Sequence, residues 1–298
     1  MPASNTTSIV GERFRALQKR LPPIWTALGS DSDYAHTSII VPSLSVNQEE
    51  LTKVMGASFY EERLLFALIR LLNPNARVIY VTSQPVHPDI IDYYLDLLEG
   101  VPTRHARQRL HVQCVCDASP TPLTQKILDR PRLIRRLRQL ISDPEHTYLT
   151  CYNSTPMERD LALALNVPLN GLDPDLLCYA SKSGNRRIFG EAGVAYPEGS
   201  EDLHSRDEIV DALIKLAAVR PHALRAVVKL NEGFGGEGNA IFTFPQARLD
   251  RSAVDAALDD LDWTSGVESI ESFLRKFEHM GGIVEVLDDR LPMPSVDQ

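Results

Sequence analysis

In the first half of the chain, short apolar runs alternate with longer stretches in which apolar residues recur every three or four positions. The runs at 38–42, 77–82, 110–116 and 147–151 predict buried strands, and the periodic stretches at 48–72, 88–98 and 157–165 predict amphipathic helices. Regular alternation of strand and helix is typical of a parallel sheet covered on both faces. We therefore expect an α/β domain with a doubly wound, mainly parallel sheet.

This alternation stops at 168–174, where two prolines and a glycine predict a boundary between domains. We expect one domain at 1–170 and a second at 171–298. In the second, helical patterns at 182–192 and 206–218, with two more between 251 and 279, surround a strand–turn–strand pattern at 225–244 and a last apolar strand at 282–287. This part of the chain predicts an α+β domain.

The predicted hairpin at 225–244 is the most informative segment for function. Lys229 lies in its first apolar run, and its tip carries Gly233, Gly235, Gly236 and Gly238. Glycines without Cβ atoms let backbone N–H groups approach an anion closely, and a buried lysine is costly unless it has a partner. The pattern favours a loop that covers phosphates, although a glycine-rich turn beside an exposed lysine is also consistent with it.

Better-known phosphate motifs do not explain this loop. Gly233, Gly235 and Gly238 have the spacing of the dinucleotide fingerprint, but that motif opens a helix, whereas a β-branched and aromatic run follows here. The P-loop sequence is absent, and so are the catalytic and metal-binding segments of protein kinases.

Composition and charge limit the classes of function. With 298 residues, 43% hydrophobic and 24% charged, the chain is typical of a globular protein. Its net charge of −9 argues against nucleic-acid binding, and the arginine-rich stretch 130–138 is explained by a solvated helix face. No apolar run approaches the roughly 20 residues that cross a bilayer, so we expect no membrane association and a cytoplasmic location.

The four cysteines lie at 114, 116, 151 and 178, in apolar stretches. Cys114 and Cys116 are expected on the same face of one strand, which resembles half of a metal site. Because no second pair follows, we predict buried, reduced thiols and no metal site.

Two segments of the second half resemble the ATP-grasp superfamily: Ser181-Lys-Ser-Gly184, and the strand and hairpin from Val227 to Asn239, followed by the Val-Glu285 strand. In the first half, residues 56–63, 80–83 and 123–126 resemble the pre-ATP-grasp domain of peptide-ligase-like members, the group that includes the pheganomycin ligase. The resemblance implies a pre-ATP-grasp domain followed by a partial ATP-grasp domain.

Such a resemblance implies a carboxylate–amine ligase that uses ATP and magnesium. ATP converts a carboxylate to an acyl phosphate, and an amine then forms a peptide or amide bond; the substrates are small molecules or peptides. It implies that Lys182 and Lys229 neutralise phosphates, that the glycine loop closes over them and that Glu285 lies near the adenine or ribose. The expected nucleotide-binding set is Lys182, Lys229, Glu232, Gly233, Gly235, Gly236, Gly238, Asn239 and Glu285.

Two polar residues of the first half follow predicted strands. Ser83 and Asn153 come where doubly wound sheets usually bind ligands, which makes them candidate substrate residues, although a turn-forming role is an equal alternative. No side chain is assigned a catalytic role.

The magnesium site is the part of the pattern that the sequence does not supply. Glu237 and Asn239 have the E-x-N spacing of a metal signature but lie within the phosphate loop, and no converging carboxylates are identifiable. We expect the magnesium ligands outside this chain. Three interpretations stay open: the amino-terminal portion of a ligase, a non-catalytic scaffold whose apolar surface is covered by self-association or a partner chain, and a phosphotransferase.

Overall fold

The computed structural model describes residues 3–45, 57–232, 238–245, 250–264 and 268–287. The chain divides into two compact units, Met1–Leu177 and Cys178–Gln298. Each unit has its own sheet and its own hydrophobic core. Across the described residues, none of the helices combines the length and apolar character needed to cross a bilayer.

The first unit contains a four-stranded sheet in which every strand pair is parallel. Its strands are β1 (Thr37–Val41), β2 (Arg77–Thr82), β3 (Leu110–Cys114) and β4 (Thr147–Cys151), in the order β3-β2-β1-β4. At the centre, Ile39 is in register with Ile79 on β2 and Leu149 on β4. This arrangement confirms the predicted parallel sheet.

Helices cover both faces of this sheet. Side chains alternate along β1, so that Ile39 and Val41 join one hydrophobic cluster whereas Ile40 joins another on the opposite face. The helices are Ala3–Gln18, Leu21–Ser30, Pro88–Asp96, Thr103–Gln108, Leu123–Leu128, Pro131–Leu140 and Pro156–Leu165, with 3₁₀ helices Ala57–Leu72, Pro144–His146 and Pro174–Leu176. Since both faces are covered, the sheet is doubly wound, as predicted.

The second unit contains a five-stranded antiparallel sheet. Its strands are β5 (Gly199–Leu203), β6 (Arg225–Leu230), β7 (Asn239–Thr243), β8 (Asp262–Trp263) and β9 (Gly282–Leu287), in the order β5-β9-β6-β7-β8. The pairing of β6 with β7 confirms the predicted hairpin. Sequence patterns missed β5, which is largely polar, and β8, which is only two residues long.

Three helices of the second unit build a core on one face of its sheet. The helices of this unit are Lys182–Ala192, Arg206–Val219, Arg251–Ala257 and Ile270–Met280, with a 3₁₀ helix Leu258–Asp260; a short helix, Leu177–Ala180, spans the division between the units. Val228 and Leu230 of β6 point into the core that the helices beginning at Arg206, Arg251 and Ile270 cover. Lys229 lies between them in sequence and therefore projects from the opposite face.

The helix predicted at 48–72 and the predicted burial of the cysteines differ from the structure. The helix expected at 48–72 is described only as the 3₁₀ helix Ala57–Leu72, and residues 46–56 lie outside the described part. The cysteines were expected to be buried, but Cys116 and Cys178 are exposed. The reason at Cys116 is local, because β3 ends at Cys114 and Cys116 turns into the left-handed region with a φ of 57°.

Candidate functional site

Glu285 joins two cations on the sheet face that carries Lys229. The Lys229 Nζ donates to Glu285 Oε2 at 2.6 Å, and the Arg186 Nη1 donates to Oε1 at 2.7 Å. Glu285 is only 8% exposed, because β9 is an interior strand between β5 and β6. Its carboxylate therefore fixes the direction of the Lys229 side chain.

Arg186 was not predicted as a site residue, since one arginine in a polar helix gives no sequence signal. It is 4% exposed and also donates from Nε to Glu201 at 3.0 Å and from Nη1 to the Pro197 carbonyl at 2.9 Å. Its guanidinium lies 4.8 Å from the centre of the Tyr196 ring, within the range of a cation–π contact. Arg186 thus links the helix Lys182–Ala192 to the sheet.

Lys182 places a second ammonium group at the same end of β6. Its Nζ donates to the Leu230 carbonyl at 2.7 Å, one residue beyond Lys229. Burial lowers the pKa of Lys182, and the charge of Lys229 lowers it further, while Glu285 and Glu232 act in the opposite direction. The two lysines predicted from the sequence are therefore close enough to repel each other.

The serines of the Ser-Lys-Ser-Gly segment hold the start of the helix that carries Lys182. The Ser181 Oγ caps the helix by accepting from the Gly184 N–H at 3.0 Å, and the Ser183 Oγ donates to Asn231 Oδ1 at 2.7 Å. At Gly184, a Cβ atom would lie 2.0 Å from the Cys178 carbonyl oxygen, so only glycine fits. Asn231, next to Leu230, ties the helix start to the end of β6.

The base of the glycine hairpin lies beside this lysine pair. The Leu230 N–H donates to the Gly238 carbonyl at 2.8 Å, and Lys229 is in register with Asn239 on β7. Gly238 has a φ of 72°, which favours glycine. Glu232 is exposed, and the Asn239 Oδ1 is buried without a hydrogen bond among the described residues. The other predicted glycines, Gly233, Gly235 and Gly236, lie outside the described residues.

Two ammonium groups beside a glycine hairpin have the chemistry to bind phosphate, whereas the described residues bring no carboxylate cluster together for a magnesium ion. Among the described residues there is no group of three or more His, Cys, Asp or Glu side chains able to hold a metal. Both oxygens of Glu285 already accept hydrogen bonds from cations. Glu237 of the E-x-N pattern lies outside the described residues.

In the first unit, Ser83 follows β2 and belongs to a buried polar cluster. The Ser83 Oγ accepts from the Lys126 Nζ at 2.9 Å, and its N–H donates to Glu61. Lys126, only 3% exposed, also donates to the Asp117 carbonyl at 2.8 Å. Burial lowers the pKa of Lys126 and raises that of Glu61. Neither was predicted as a site residue, although both lie in segments that carry the resemblance, 56–63 and 123–126. A lysine in a short amphipathic helix resembles a surface residue.

Asn153 follows β4, and its Oδ1 is buried with no hydrogen bond among the described residues. Beside it in sequence, Thr155 donates to Glu158, which also accepts from Ser45 at 2.5 Å. Strand β1 separates β2 from β4, so the structure does not place Ser83 and Asn153 on adjacent strands. Both nevertheless follow the carboxyl ends of strands in one parallel sheet.

Sequence comparison identifies relatives for both parts of the chain. Residues 176–259 match the IQCH-like ATP-grasp family. The chain is 28% identical over 248 residues to IQ motif-containing protein H from Danio rerio, covering 77% of this chain and 23% of that protein. It is also 28% identical over 205 residues to L-propargylglycine–L-glutamate ligase from Streptantibioticus cattleyicolor, covering 67% and 42%. The chain thus spans less than half the length of these curated relatives.

Solved structures give weaker matches. N5-carboxyaminoimidazole ribonucleotide synthetase from Thermus thermophilus superposes with a TM-score of 0.38 at 13% identity, covering 87% of this chain and 48% of that one. D-cycloserine synthetase DcsG gives a TM-score of 0.32 at 13% identity, covering 85% and 59%. The family match, which includes both lysines and the hairpin, relates residues 176–259 of this chain to the ATP-grasp family.

Proposed function

We propose that this chain carries the nucleotide-binding and substrate-binding parts of an ATP-dependent carboxylate–amine ligase. The observation that carries this proposal is the pair of ammonium groups, Lys182 and Lys229, beside the base of the glycine hairpin. When bound, ATP supplies the phosphoryl group that activates a carboxylate as an acyl phosphate. The domains proposed for these roles are a pre-ATP-grasp domain at 1–170 and part of an ATP-grasp domain at 171–298.

Electrostatics explain why this arrangement suits a polyphosphate. Lys182 is desolvated and lies near Lys229, and both effects lower its pKa. An anion bound between the two lysines would relieve their repulsion and add a charge partner to the neutral Leu230 carbonyl that accepts from Lys182. Phosphoryl transfer depends mainly on positioning and on neutralising charge. Since Glu285 already binds Lys229 and Arg186, the role we propose for it is to orient Lys229.

For the nucleotide loop, we propose that Gly233, Gly235, Gly236 and Gly238 present backbone N–H groups to the phosphates, with Glu232 and Asn239 at the two ends of the loop. For the substrates, we propose that the polar cluster around Ser83 and the buried oxygen of Asn153 contact the carboxylate or amine component. One curated relative is named as a ligase of two amino acids, which favours amino acids or peptides as substrates. No step is assigned to magnesium, because the described residues do not provide its ligands.

The binding step can be tested by titration calorimetry with a nonhydrolysable ATP analogue. Lys182→Met and Lys229→Met each remove charge-assisted hydrogen bonds worth about 1.5–3 kcal/mol, which corresponds to a roughly ten- to hundredfold loss of affinity. Lys215→Met is the matched control, because this exposed lysine lies in the same unit on the helix Arg206–Val219. We expect that control to bind as the wild type does.

Circular dichroism of each variant verifies that the fold is retained. If Lys182→Met and Lys229→Met bind the analogue as tightly as the wild type, the nucleotide site is not where we propose. If the wild type itself shows no binding, the non-catalytic scaffold becomes the better interpretation.

A further inference from the structure

A pair of thiols lies at the carboxyl end of β3, outside the proposed nucleotide site. The Sγ atoms of Cys114 and Cys116 are 3.5 Å apart, and the Cys116 N–H donates to the Cys114 Sγ at 3.2 Å. Residues two positions apart in an extended strand are separated by roughly 6.5 Å along it. The left-handed conformation of Cys116, with a φ of 57°, ends the strand and folds the second thiol back onto the first.

The two thiols differ in exposure, which gives them different roles in exchange chemistry. Cys116 is exposed and accessible to a reagent in solution, whereas Cys114 is half-buried. Burial raises the pKa of the Cys114 thiol, which holds it in the protonated form. Cys116 is therefore the thiol that reacts first, and Cys114 is placed to attack it second.

We propose that Cys114 and Cys116 form a reversible intramolecular disulfide by exchange with a low-molecular-weight disulfide. The Cys116 thiolate attacks the small disulfide, forms a mixed disulfide and releases one small thiol. Cys114 then loses its proton to water, and its thiolate attacks the Cys116 sulfur of the mixed disulfide and releases the second small thiol. The two protein thiols lose two protons and two electrons in total, and the small disulfide is reduced to two thiols.

The position of this pair connects it to the polar cluster of the first unit. The Cys114 S–H points to the Ser83 carbonyl at 3.6 Å, which also accepts from the Asp117 N–H at 2.9 Å. The Asp117 carbonyl in turn accepts from Lys126. Oxidation removes the Cys114 S–H donor and tightens the turn at Cys116, next to the backbone that holds Ser83.

A metal site is a weaker explanation for this pair. A stable site for a soft metal needs further ligands, and the described part of the chain offers no group of three or more His, Cys, Asp or Glu side chains. Cys151 lies on β4, separated from β3 by two strands, so it does not complete a cluster. A ring closed by two cysteines with one residue between them is small and strained, which favours easy reduction rather than a permanent structural bond.

The test is to incubate the folded full chain with oxidised glutathione, block the remaining thiols by alkylation and analyse tryptic peptides. The tryptic peptide 110–126 contains both cysteines. If they form an internal disulfide, this peptide carries no alkyl group and has the mass of the reduced, unalkylated peptide minus two hydrogen atoms. Cys178→Ser, which removes the exposed cysteine of the other unit, serves as the matched control and should give the same product. Dithiothreitol should restore both thiols.

Cys116→Asn should abolish the internal disulfide and leave Cys114 unreacted, since asparagine tolerates the left-handed conformation. Circular dichroism verifies that this variant folds. The proposal is overturned if Cys116 accumulates as a glutathione adduct while Cys114 is alkylated, or if both cysteines are recovered as thiols. Because the assay reads sulfur chemistry alone, its outcome is independent of whether the chain is a ligase.

Discussion

Replacing Glu285 with glutamine tests whether this one carboxylate holds the candidate nucleotide site together. The substitution keeps the shape of the side chain but leaves Lys229 and Arg186 without their shared counter-charge. Removing one member of a buried ion pair costs roughly 3–5 kcal/mol. Arg186 retains Glu201, and the Lys229 side chain, 27% exposed, can turn to solvent. We therefore expect the low end of that range, about 3 kcal/mol, or roughly a hundredfold in the unfolding equilibrium.

The two tryptophans of the chain allow this loss to be measured in the second unit alone. Trp263 packs against Phe273, with ring centres 5.2 Å apart, so its fluorescence reports that unit's core. Trp25→Phe removes the other tryptophan, which lies in the first unit. Urea unfolding in this background gives the free energy of unfolding for the second unit, with Glu285 or with glutamine.

Glu201→Gln is the control, because it removes a second carboxylate that bonds Arg186 but is 33% exposed. Because Glu201 is partly solvated and Arg186 keeps Glu285, we expect this change to cost about 1 kcal/mol. If Glu285→Gln costs no more than this control, the buried carboxylate does not organise the site. The role proposed for it in orienting Lys229 is then wrong.

Two further changes test the packing and the electrostatics of the units. Gly184→Ala should destabilise the second unit by roughly 1–3 kcal/mol in urea unfolding, because its Cβ would meet the Cys178 carbonyl oxygen at 2.0 Å. Gly29→Ala in the first unit, with no atom within 4 Å of the new Cβ, should not destabilise its own unit. Burial raises the pKa of Glu61 in the folded protein above its value in the unfolded chain. The protonated carboxyl therefore contributes its full stability below the unfolded pKa, and this stability is lost as the pH rises through the folded pKa. The difference in free energy of unfolding between Glu61→Gln and the wild type should therefore favour the variant more at pH 7 than at pH 4. An equal difference at both pH values would contradict a raised pKa for Glu61.

Local sequence patterns determined a large part of this fold. Apolar runs such as those of β1 and β2 predicted the parallel sheet, because strands buried on both faces are continuously hydrophobic. The lysine in β6 favours a ligand in the sequence, because a desolvated ammonium group is costly without a partner. The structure gives it a protein partner, Glu285, and the phosphate role stays a prediction. The strand β5 was missed for the converse reason, since its polar residues carry no apolar period.

What the sequence could not determine is which charges meet. Glu285 and Arg186 are 99 positions apart, and only the strand order β5-β9-β6-β7-β8 brings Glu285 between Lys229 and the helix that carries Arg186. Likewise, Lys126 became a buried partner of Ser83 only through helix packing on the parallel sheet. Hydrophobic periodicity indicates which face of a single helix or strand is buried. Ion pairs depend instead on how helices and strands that are distant in the chain are aligned with one another. Most helices and strands could therefore be predicted from the sequence, whereas the contacts of Glu285 with Lys229 and Arg186 were determined by the tertiary structure.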